Sequence, residues 1–196
     1  MNPYIIPAAL EARVSALQAL TENTAIEAAV SLIIKALRAG QKILVFGNGG
    51  SATQAGHFAA ELVNRFLFDR PALPAISLAT DIAALTAIAN DDDYCRVFSR
   101  QIQALGKTGD IALGLTTSGS SANVLTGLAT AREIGLETIA LTGYQREALE
   151  KSGCGTIISV ASNETPVIQE VHLFILHLLA EVIEKSLFGG KNAHID

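Results

Sequence analysis

The sequence is poor in tryptophan, methionine, cysteine and charged residues, and each shortage excludes a class of protein. Its 196 residues contain no Trp, one Met and two Cys, and only 17% are Asp, Glu, Lys or Arg. Cys95 and Cys154 are far apart and form no CxxC pair, so we expect neither a disulfide framework nor a structural zinc knuckle, and a reducing cytoplasm fits best. A charged fraction below the roughly 25% of typical globular domains predicts burial beyond one subunit's own core, and hence an oligomer.

Basic patches and low-complexity tracts are also absent. The chain has 14 Lys and Arg against 19 Asp and Glu, for a net charge of -5, so we expect no direct nucleic-acid partner. A mean hydropathy of +0.37 excludes a disordered chain. We predict no signal peptide, because the N-terminus lacks a basic region and its apolar stretch is interrupted by Pro3, Pro7, Glu11 and Arg13.

No apolar run reaches the ~18 residues that a membrane span needs, so we expect no membrane partner. The most apolar segment, residues 171–183, is broken by His172, His177 and Glu181. This pattern predicts a buried or interface helix.

Short apolar or β-branched runs alternate with helical stretches along most of the chain. Residues 8–39 predict two helices packed head to tail, with possible breaks at Thr21 and Asn23 and a stop at Gly40. Strands are predicted at 42–46, 75–78, 111–115, 138–141 and 156–160. Each of the first four is followed by Gly, Ser, Thr or Asp and then a helical pattern, which predicts a doubly wound, five-stranded parallel α/β sheet.

The expected organisation is one domain. It comprises N-terminal helices over 1–40, an α/β core over 41–188 that ends in a long helix from about residue 165, and a flexible tail over 189–196.

Ligands of such sheets bind beyond the carboxyl ends of the strands, so the loops there are the candidate site. The loop after the first strand contains Asn48, Gly49, Gly50 and Ser51. Glycines let the backbone approach a ligand closely, and N–H groups at a helix start attract anions or hydroxyl oxygens. A plain strand-to-helix turn explains these residues equally well, and the loop is not a GxGxxG nucleotide motif.

The loop after the third strand has five hydroxyl side chains within six positions and no lysine: Thr116, Thr117, Ser118, Ser120 and Ser121. Hydroxyl donors at the mouth of a helix suit a phosphate monoester. The alternative is that Ser118 or Ser120 is an ordinary helix cap, although one cap needs only one hydroxyl.

The helix opened by the first loop carries His57 and Glu61 at i and i+4, on one face, within reach of a common metal or substrate proton. Such pairs are also common as plain surface contacts. In the last helix Gln169 and His177 are separated by a rise of about 12 Å and a rotation of about 80°. One ion could therefore touch both only if it lay between them.

Two further polar features can be explained without a functional role. His172 points roughly 140° away from His177 around the last helix, which favours a structural role. Asn90 and Asp91 form a polar pair after an apolar run, but residues 91–93 are also typical of a solvated turn.

Taken together, these residues resemble the sugar isomerase (SIS) domain and, within it, the phosphoheptose isomerases, which act on sedoheptulose 7-phosphate. The resemblance covers nearly the whole chain. It is carried by GNGGSATQAGHFAAEL (47–62), RPALPAISL (70–78), AND (89–91), TTSGSSANV (116–124), ALTG (140–143) and IQEVHLFILH (168–177).

The resemblance implies a homotetramer with active sites at subunit contacts. It implies one zinc ion held by His57, Glu61, Gln169 and His177, with Glu61 and His177 also serving as acid and base. The phosphate would be held by Thr116, Thr117, Ser118 and Ser121. The sugar would contact Asn48, Gly49, Gly50, Ser51, Asn90 and Asp91, together with Glu61 and Gln169.

The implied chemistry matches these residue types. A ketose becomes an aldose when a proton moves between C1 and C2 through an enediol, which requires one group to take a proton and another to manage the oxygens. A carboxylate and an imidazole suffice. A zinc ion would stabilise the enediolate charge as a Lewis acid.

Two departures from the family pattern bear on the function. The family often has Asp-Arg where this chain has Pro166-Val167. Thr80-Asp81 and residues 85–91 are closer to the DnaA initiator-associating protein, a tetrameric SIS relative that typically lacks the residues matching Glu61 and His177. Because this chain keeps both, we favour an isomerase for surface-polysaccharide heptose, with a non-catalytic tetramer that binds DnaA as the alternative. A sugar-phosphate-sensing module is the third hypothesis. It is less favoured, because we expect no attached DNA-binding domain in this sequence.

Overall fold

The computed structural model describes residues 5–189, and its centre is a sheet of five parallel strands in the order β2-β1-β3-β4-β5. The strands are β1 (Ile43–Gly47), β2 (Ala75–Ser77), β3 (Ile111–Leu115), β4 (Glu137–Thr142) and β5 (Thr156–Ser159). Every predicted strand end lies within one residue of the observed one, and the α/β fold class is confirmed. From residue 190 onward, the predicted flexible tail lies outside the described residues.

Eight α-helices connect and flank the strands across residues 5–189. They are α1 (Ile5–Gln18), α2 (Thr24–Arg38), α3 (Gly50–Val63), α4 (Ile82–Asp91), α5 (Val97–Leu105), α6 (Ala122–Glu133), α7 (Glu147–Lys151) and α8 (Thr165–Phe188). A 3-10 turn and Asn23 separate α1 from α2, and the Asn23 side chain accepts a hydrogen bond from the Ala25 N–H at 3.1 Å. Gly40, with φ of 76°, follows the end of α2. The prediction of two N-terminal helices is confirmed.

Helices cover both faces of the sheet, so the central strands are continuous apolar runs. All five residues of β1 and all five of β3 are buried. Ile43 and Val45 pack with α1, α2, α3 and α8, whereas Leu44 and Phe46 pack on the other face with α5 and α6. The two cores together hold the carboxyl edge of the sheet in place.

The strand order reverses direction at β1 and β3, which are neighbours although β2 separates them in sequence. Phe46 pairs with Gly114 and Gly47 with Leu115, so the two strands end side by side. The loops that follow them therefore meet at the crevice where ligands of open α/β sheets bind.

The helix α8 is a core helix, as predicted. By length and composition it could cross a membrane, but half of its most apolar window is buried inside the protein. Ile175, Leu176, Leu179 and Ile183 are fully enclosed. The apolar character of α8 is thus explained by packing against α2, α3 and the sheet.

His172 lies in this core, facing the sheet. Its Nε2 is 3.2 Å from the Thr142 carbonyl oxygen, and Nδ1 has no hydrogen-bond partner among residues 5–189. Desolvation lowers the pKa of His172 to about 4, outweighing the opposite effect of the Thr142 carbonyl. The imidazole is therefore neutral and structural.

Neutral burial of His172 makes stability depend on pH in a calculable direction. Below pH 6.5 the unfolded histidine takes up a proton and the folded one does not, so stability is lost as the pH falls from about 6.5 towards 4. His172→Gln keeps an N–H donor for Thr142 but cannot titrate. When the pH falls from 7 to 4.5, the free energy of unfolding of the wild type should decrease by about 2 to 3 kcal/mol more than that of this variant. The measurement is urea unfolding at a fixed protein concentration. Equal losses would contradict the neutral state.

Candidate functional site

The loop after β1 brings its backbone close to β3 and to α8. A Cβ at Gly47 would lie 2.8 Å from the Leu115 carbonyl oxygen, and Gly49 has φ of 55° at the N-cap of α3. A Cβ at Gly50 would lie 2.7 Å from Nε2 and 2.8 Å from Oε1 of Gln169. Ser51 is buried in the first turn of α3. Glycine at 50 therefore makes room for the Gln169 amide.

Asn48 links the loop after β1 to the loop after β3. Its Nδ2 donates to Asn123 Oδ1 and its Oδ1 accepts from Asn123 Nδ2, both at 2.8 Å. The Tyr94 hydroxyl also donates to Asn48 Oδ1, at 3.0 Å. Sequence reasoning assigned no role to Asn123 or Tyr94. Asn123 belongs to the hydroxyl-rich motif, so the sequence did carry a signal for it. Tyr94 lies in a 3-10 turn far from either loop in sequence, and no sequence pattern pointed to it.

The hydroxyl groups after β3 form a cluster. Thr116 Oγ1 lies 3.0 Å from Ser121 Oγ and 3.4 Å from Ser118 Oγ, and the Ser120 hydroxyl donates to Ser118 Oγ at 3.2 Å. Ser121 is the N-cap of α6, but its side chain makes no capping hydrogen bond. Capping therefore leaves the cluster unexplained.

The turn within this cluster requires glycine. Gly119 has φ of 68°, and a Cβ there would lie 2.2 Å from the Gln145 carbonyl oxygen. The Thr142 hydroxyl donates to that same oxygen at 2.9 Å. The loop is thus pressed against the segment that follows β4.

Beside the cluster lies a cavity of about 320 Å³, which we name the neutral cavity. Its lining residues carry no formal charge: Thr117, Ser118, Ser120, Gln145, Asn163 and Thr165. Thr165 begins α8, so the starts of α6 and α8 meet here, and helix N-termini favour anions. Pro166 occupies the first turn of α8, where its missing N–H costs nothing. Gln145, Asn163 and Thr165 were missed, although they follow strands that end at the same edge.

A second cluster, which we name the histidine cluster, lies where α3 contacts α8. His57 Nε2 is 2.9 Å from His177 Nε2 and 3.4 Å from Glu61 Oε1. The Phe66 ring packs against the His177 ring, with centroids 5.6 Å apart. His57 and Glu61 keep 42% and 22% of their side-chain surface exposed, so the cluster is open to solvent. The i, i+4 pair predicted on α3 is joined by His177 from α8.

Gln169 is the predicted metal ligand that the structure does not bring to this cluster. The helices α3 and α8 run in the same direction, because Gly50 meets Gln169 and His57 meets His177 farther along. Gln169 therefore lies about 12 Å before His177, against Gly50. Among residues 5–189, no group of three or more His, Cys, Asp or Glu side chains is arranged to hold a metal ion.

The donor types nevertheless suit zinc. Two imidazole nitrogens and a carboxylate oxygen are zinc ligands, and two ligands on one tetrahedral ion at about 2.1 Å stand about 3.4 Å apart. The 3.4 Å distance between His57 and Glu61 matches this spacing, and the 2.9 Å contact between the histidines would have to open slightly.

Asn90 and Asp91 lie apart from both clusters. They end α4, where Asn90 Nδ2 donates to Asp91 Oδ1 at 2.8 Å and both are exposed. Asp91 lines a separate cavity of about 430 Å³ together with Arg96 and Arg100. Over residues 5–189, neither side chain forms a hydrogen bond with any other predicted site residue.

Comparisons with known proteins agree with this architecture. The SIS domain family matches residues 6–143. A phosphoheptose isomerase from Thermodesulfovibrio yellowstonii is 51% identical over 163 residues, which are 83% of this chain and 81% of that protein. The structure of a phosphoheptose isomerase from Francisella tularensis superposes with a TM-score of 0.87 at 36% identity, covering 92% of this chain and 96% of that one. One from Neisseria gonorrhoeae gives 0.85 at 35% identity, covering 92% and 97%.

Proposed function

The chain belongs to the SIS domain family, among the phosphoheptose isomerases, and we propose that it converts sedoheptulose 7-phosphate into D-glycero-D-manno-heptose 7-phosphate. It is a sugar-phosphate isomerase. The proposed product would enter the synthesis of heptose-containing surface polysaccharide, in the cytoplasm. The observation that carries the proposal is the histidine cluster, which places a carboxylate and two imidazoles together.

Glu61 and His177 supply the acid and base of the proposed reaction. One takes a proton from C1 of the ketose while the other protonates the oxygen at C2, which gives the enediol. Return of a proton to C2 and loss of the proton on O1 complete the aldose. Both groups lie within 3.4 Å of His57 Nε2, so one reacting carbon pair can face both.

The phosphate is proposed to bind to Thr117 and Ser118, which line the neutral cavity, and to Thr116 and Ser121 of the adjoining hydroxyl cluster. The convergence of two helix starts supports this assignment, since their dipoles attract an anion without a lysine or arginine. Asn48, Gly49, Gly50 and Ser51 stand beside this loop and are proposed to line the sugar site. Asn90 and Asp91 are also proposed to contact the sugar. This requires that substrate binding or a neighbouring subunit bring them next to the other proposed site residues.

Zinc is the proposed metal, one ion per site. His57, Glu61 and His177 would hold it, and Gln169 would join them only by turning away from Gly50. When bound, zinc supplies Lewis-acid stabilisation of the negative charge on the enediolate oxygens.

A homotetramer with composite active sites is proposed for two reasons. Ile6, Leu10 and Val14 form an i, i+4 stripe on α1 that is 49% to 70% exposed, and Phe174 of the adjoining α8 is 48% exposed. Apolar surface of this kind is typical of subunit interfaces.

The second reason is distance. Thr165 in the neutral cavity and His177 are twelve residues apart on α8, a rise of about 18 Å. An extended heptose phosphate spans about 10 Å, given carbon–carbon bonds near 1.5 Å. This supports a site in which the phosphate loop and the histidine cluster come from different subunits.

The alternative, a non-catalytic SIS tetramer that binds DnaA, gains no support from these observations. The curated relatives at about half identity carry the name of an enzyme.

The purified protein should convert sedoheptulose 7-phosphate into the aldose. Glu61→Gln and His177→Ala should each lower kcat by about 10² to 10⁴, the contribution of a general acid or base, while the fold persists by circular dichroism. Glu150→Gln, an exposed helix carboxylate paired with Arg146 on α7, is the control that should keep activity. No product with or without added zinc would refute the proposal.

Protein prepared without chelators should contain about one zinc per chain by metal analysis, because His57, Glu61 and His177 supply donor atoms that suit zinc. Occupancy should fall in acid, because protons compete with the metal for the imidazole nitrogens and the carboxylate. His57→Gln should lower occupancy and Cys95→Ser should not. A zinc content of the wild type no higher than the buffer background, together with no effect of added zinc on activity, would contradict the proposed zinc site.

Ser118→Ala/Ser121→Ala should raise KM more than it lowers kcat, because each hydrogen bond to a charged oxygen is worth about 1.5 to 3 kcal/mol. Inorganic phosphate should compete with substrate in the wild type and less in this variant. An unchanged KM would contradict phosphate binding by this loop and would favour the alternative that its hydroxyls only begin a helix.

The same loop variant tests the composite site. Coexpressed with Glu61→Gln and assayed well below its own KM, it should give about a quarter of wild-type activity, since that share of sites would combine intact halves. Glu61→Gln with His177→Ala is the matched control without recovery, as both changes damage one cluster. No recovery in the first mixture would place the whole site in one subunit.

A further inference from the structure

A buried ion pair lies directly behind the histidine cluster. Arg70, in the segment after α3, and Glu184, on α8, keep only 1% and 0% of their side-chain surface exposed, with Arg70 Nε 3.0 Å from Glu184 Oε1. Neither side chain reaches the solvent-exposed part of the cluster. Apart from each other, their hydrogen-bond partners are backbone groups, which include the carbonyl oxygen of Glu61.

Glu184 fixes the backbone that carries Phe66. Its Oε1 accepts from the Phe66 N–H at 2.9 Å and its Oε2 accepts from the Leu67 N–H at 2.7 Å. Burial alone raises the pKa of Glu184, but the two N–H donors and the Arg70 guanidinium outweigh burial and hold the pKa below its ordinary value. The carboxylate therefore stays ionised and holds Phe66, whose ring packs on His177.

Arg70 fixes the end of α3. Its Nη2 donates to the Glu61 carbonyl oxygen at 2.8 Å, and its Nη1 donates to those of Leu62 at 2.6 Å and Pro71 at 3.0 Å. The last carbonyls of a helix have no partner within the helix. The planar guanidinium satisfies two of them, including that of the proposed catalytic Glu61, while it also pairs with Glu184.

We propose that Arg70 and Glu184 are positioning residues of the active site, which hold Glu61 directly and His177 through Phe66. The assignment rests on the proposed function for its catalytic meaning. Buried ion pairs are often replaced by apolar side chains without loss of stability, so burial alone is weak evidence that this pair serves stability. Its hydrogen bonds connect it to both members of the proposed acid–base pair, which supports a positioning role.

The test compares this pair with a second ion pair whose carboxylate is also buried and also accepts from two backbone N–H groups, and whose lysine is 20% exposed. Asp110, 1% exposed, accepts from the backbone N–H groups of Lys42 and Lys107 and pairs with the Lys42 ammonium, at the amino edge of the sheet. Arg70→Met/Glu184→Leu should lower kcat about 10- to 100-fold, as changes behind a site typically do, with KM within about twofold. Lys42→Met/Asp110→Leu should leave both constants near the wild-type values.

A second readout does not depend on turnover. The Phe66 ring current acts on the His177 imidazole protons, so their NMR resonances in histidine-labelled protein should shift in the Arg70–Glu184 variant and not in the Lys42–Asp110 variant. Arg70→Lys keeps the charge but cannot span three carbonyls, and it should lie between wild type and the double variant in kcat. This single change also serves if the double variant fails to fold.

An unchanged kcat, or a fall equal to that of the Lys42–Asp110 control, would overturn the proposal, as would unmoved His177 resonances. If the wild type proves inactive on the heptulose phosphate, the proposed function fails, and the resonances alone still decide whether the pair positions His177.

Discussion

The parallel packing of α3 against α8 is the contact on which the site depends. Three successive levels of this contact carry different tasks: Gly50 admits Gln169, His57 meets His177, and the Glu61 carbonyl is tied through Arg70 to Glu184. Since both helices begin at the carboxyl edge of the sheet, their side chains stay in step along the whole contact. A shift of either helix by one turn, about 5.4 Å, would separate all three pairs at once.

The two clusters differ in how they manage charge. The histidine cluster concentrates ionisable groups at a partly exposed surface, whereas the neutral cavity has uncharged side chains and two helix starts. Under the proposed function, dipoles and hydroxyls would hold the substrate phosphate, without the stronger charge-assisted hydrogen bonds that arginine makes. The ionisable side chains of the histidine cluster would then serve the proposed proton transfers.

Local patterns predicted the sheet because its strands are short apolar runs followed by glycine or polar residues. The hydroxyl loop was predicted because its five Ser and Thr residues are adjacent in the sequence, directly after a strand. The pairing of His57 with Glu61 followed from helical spacing. Gln169 was grouped with His177 by the family resemblance, but the rise along α8 keeps it beside Gly50 in this subunit. The pairing of Arg70 with Glu184, and of Asn48 with Asn123, joins residues distant in sequence. Their partners depend on how helices pack, which periodicity does not encode.

The wall of the neutral cavity is connected to the core of the protein. His172 in α8 holds the Thr142 carbonyl, the Thr142 hydroxyl holds the Gln145 carbonyl, and that oxygen abuts Gly119. These contacts tie the loop to the core of the protein, and such preorganisation lowers the conformational-entropy cost of binding a ligand. Preorganisation of this kind would favour the proposed anion at a cavity whose lining side chains carry no positive charge.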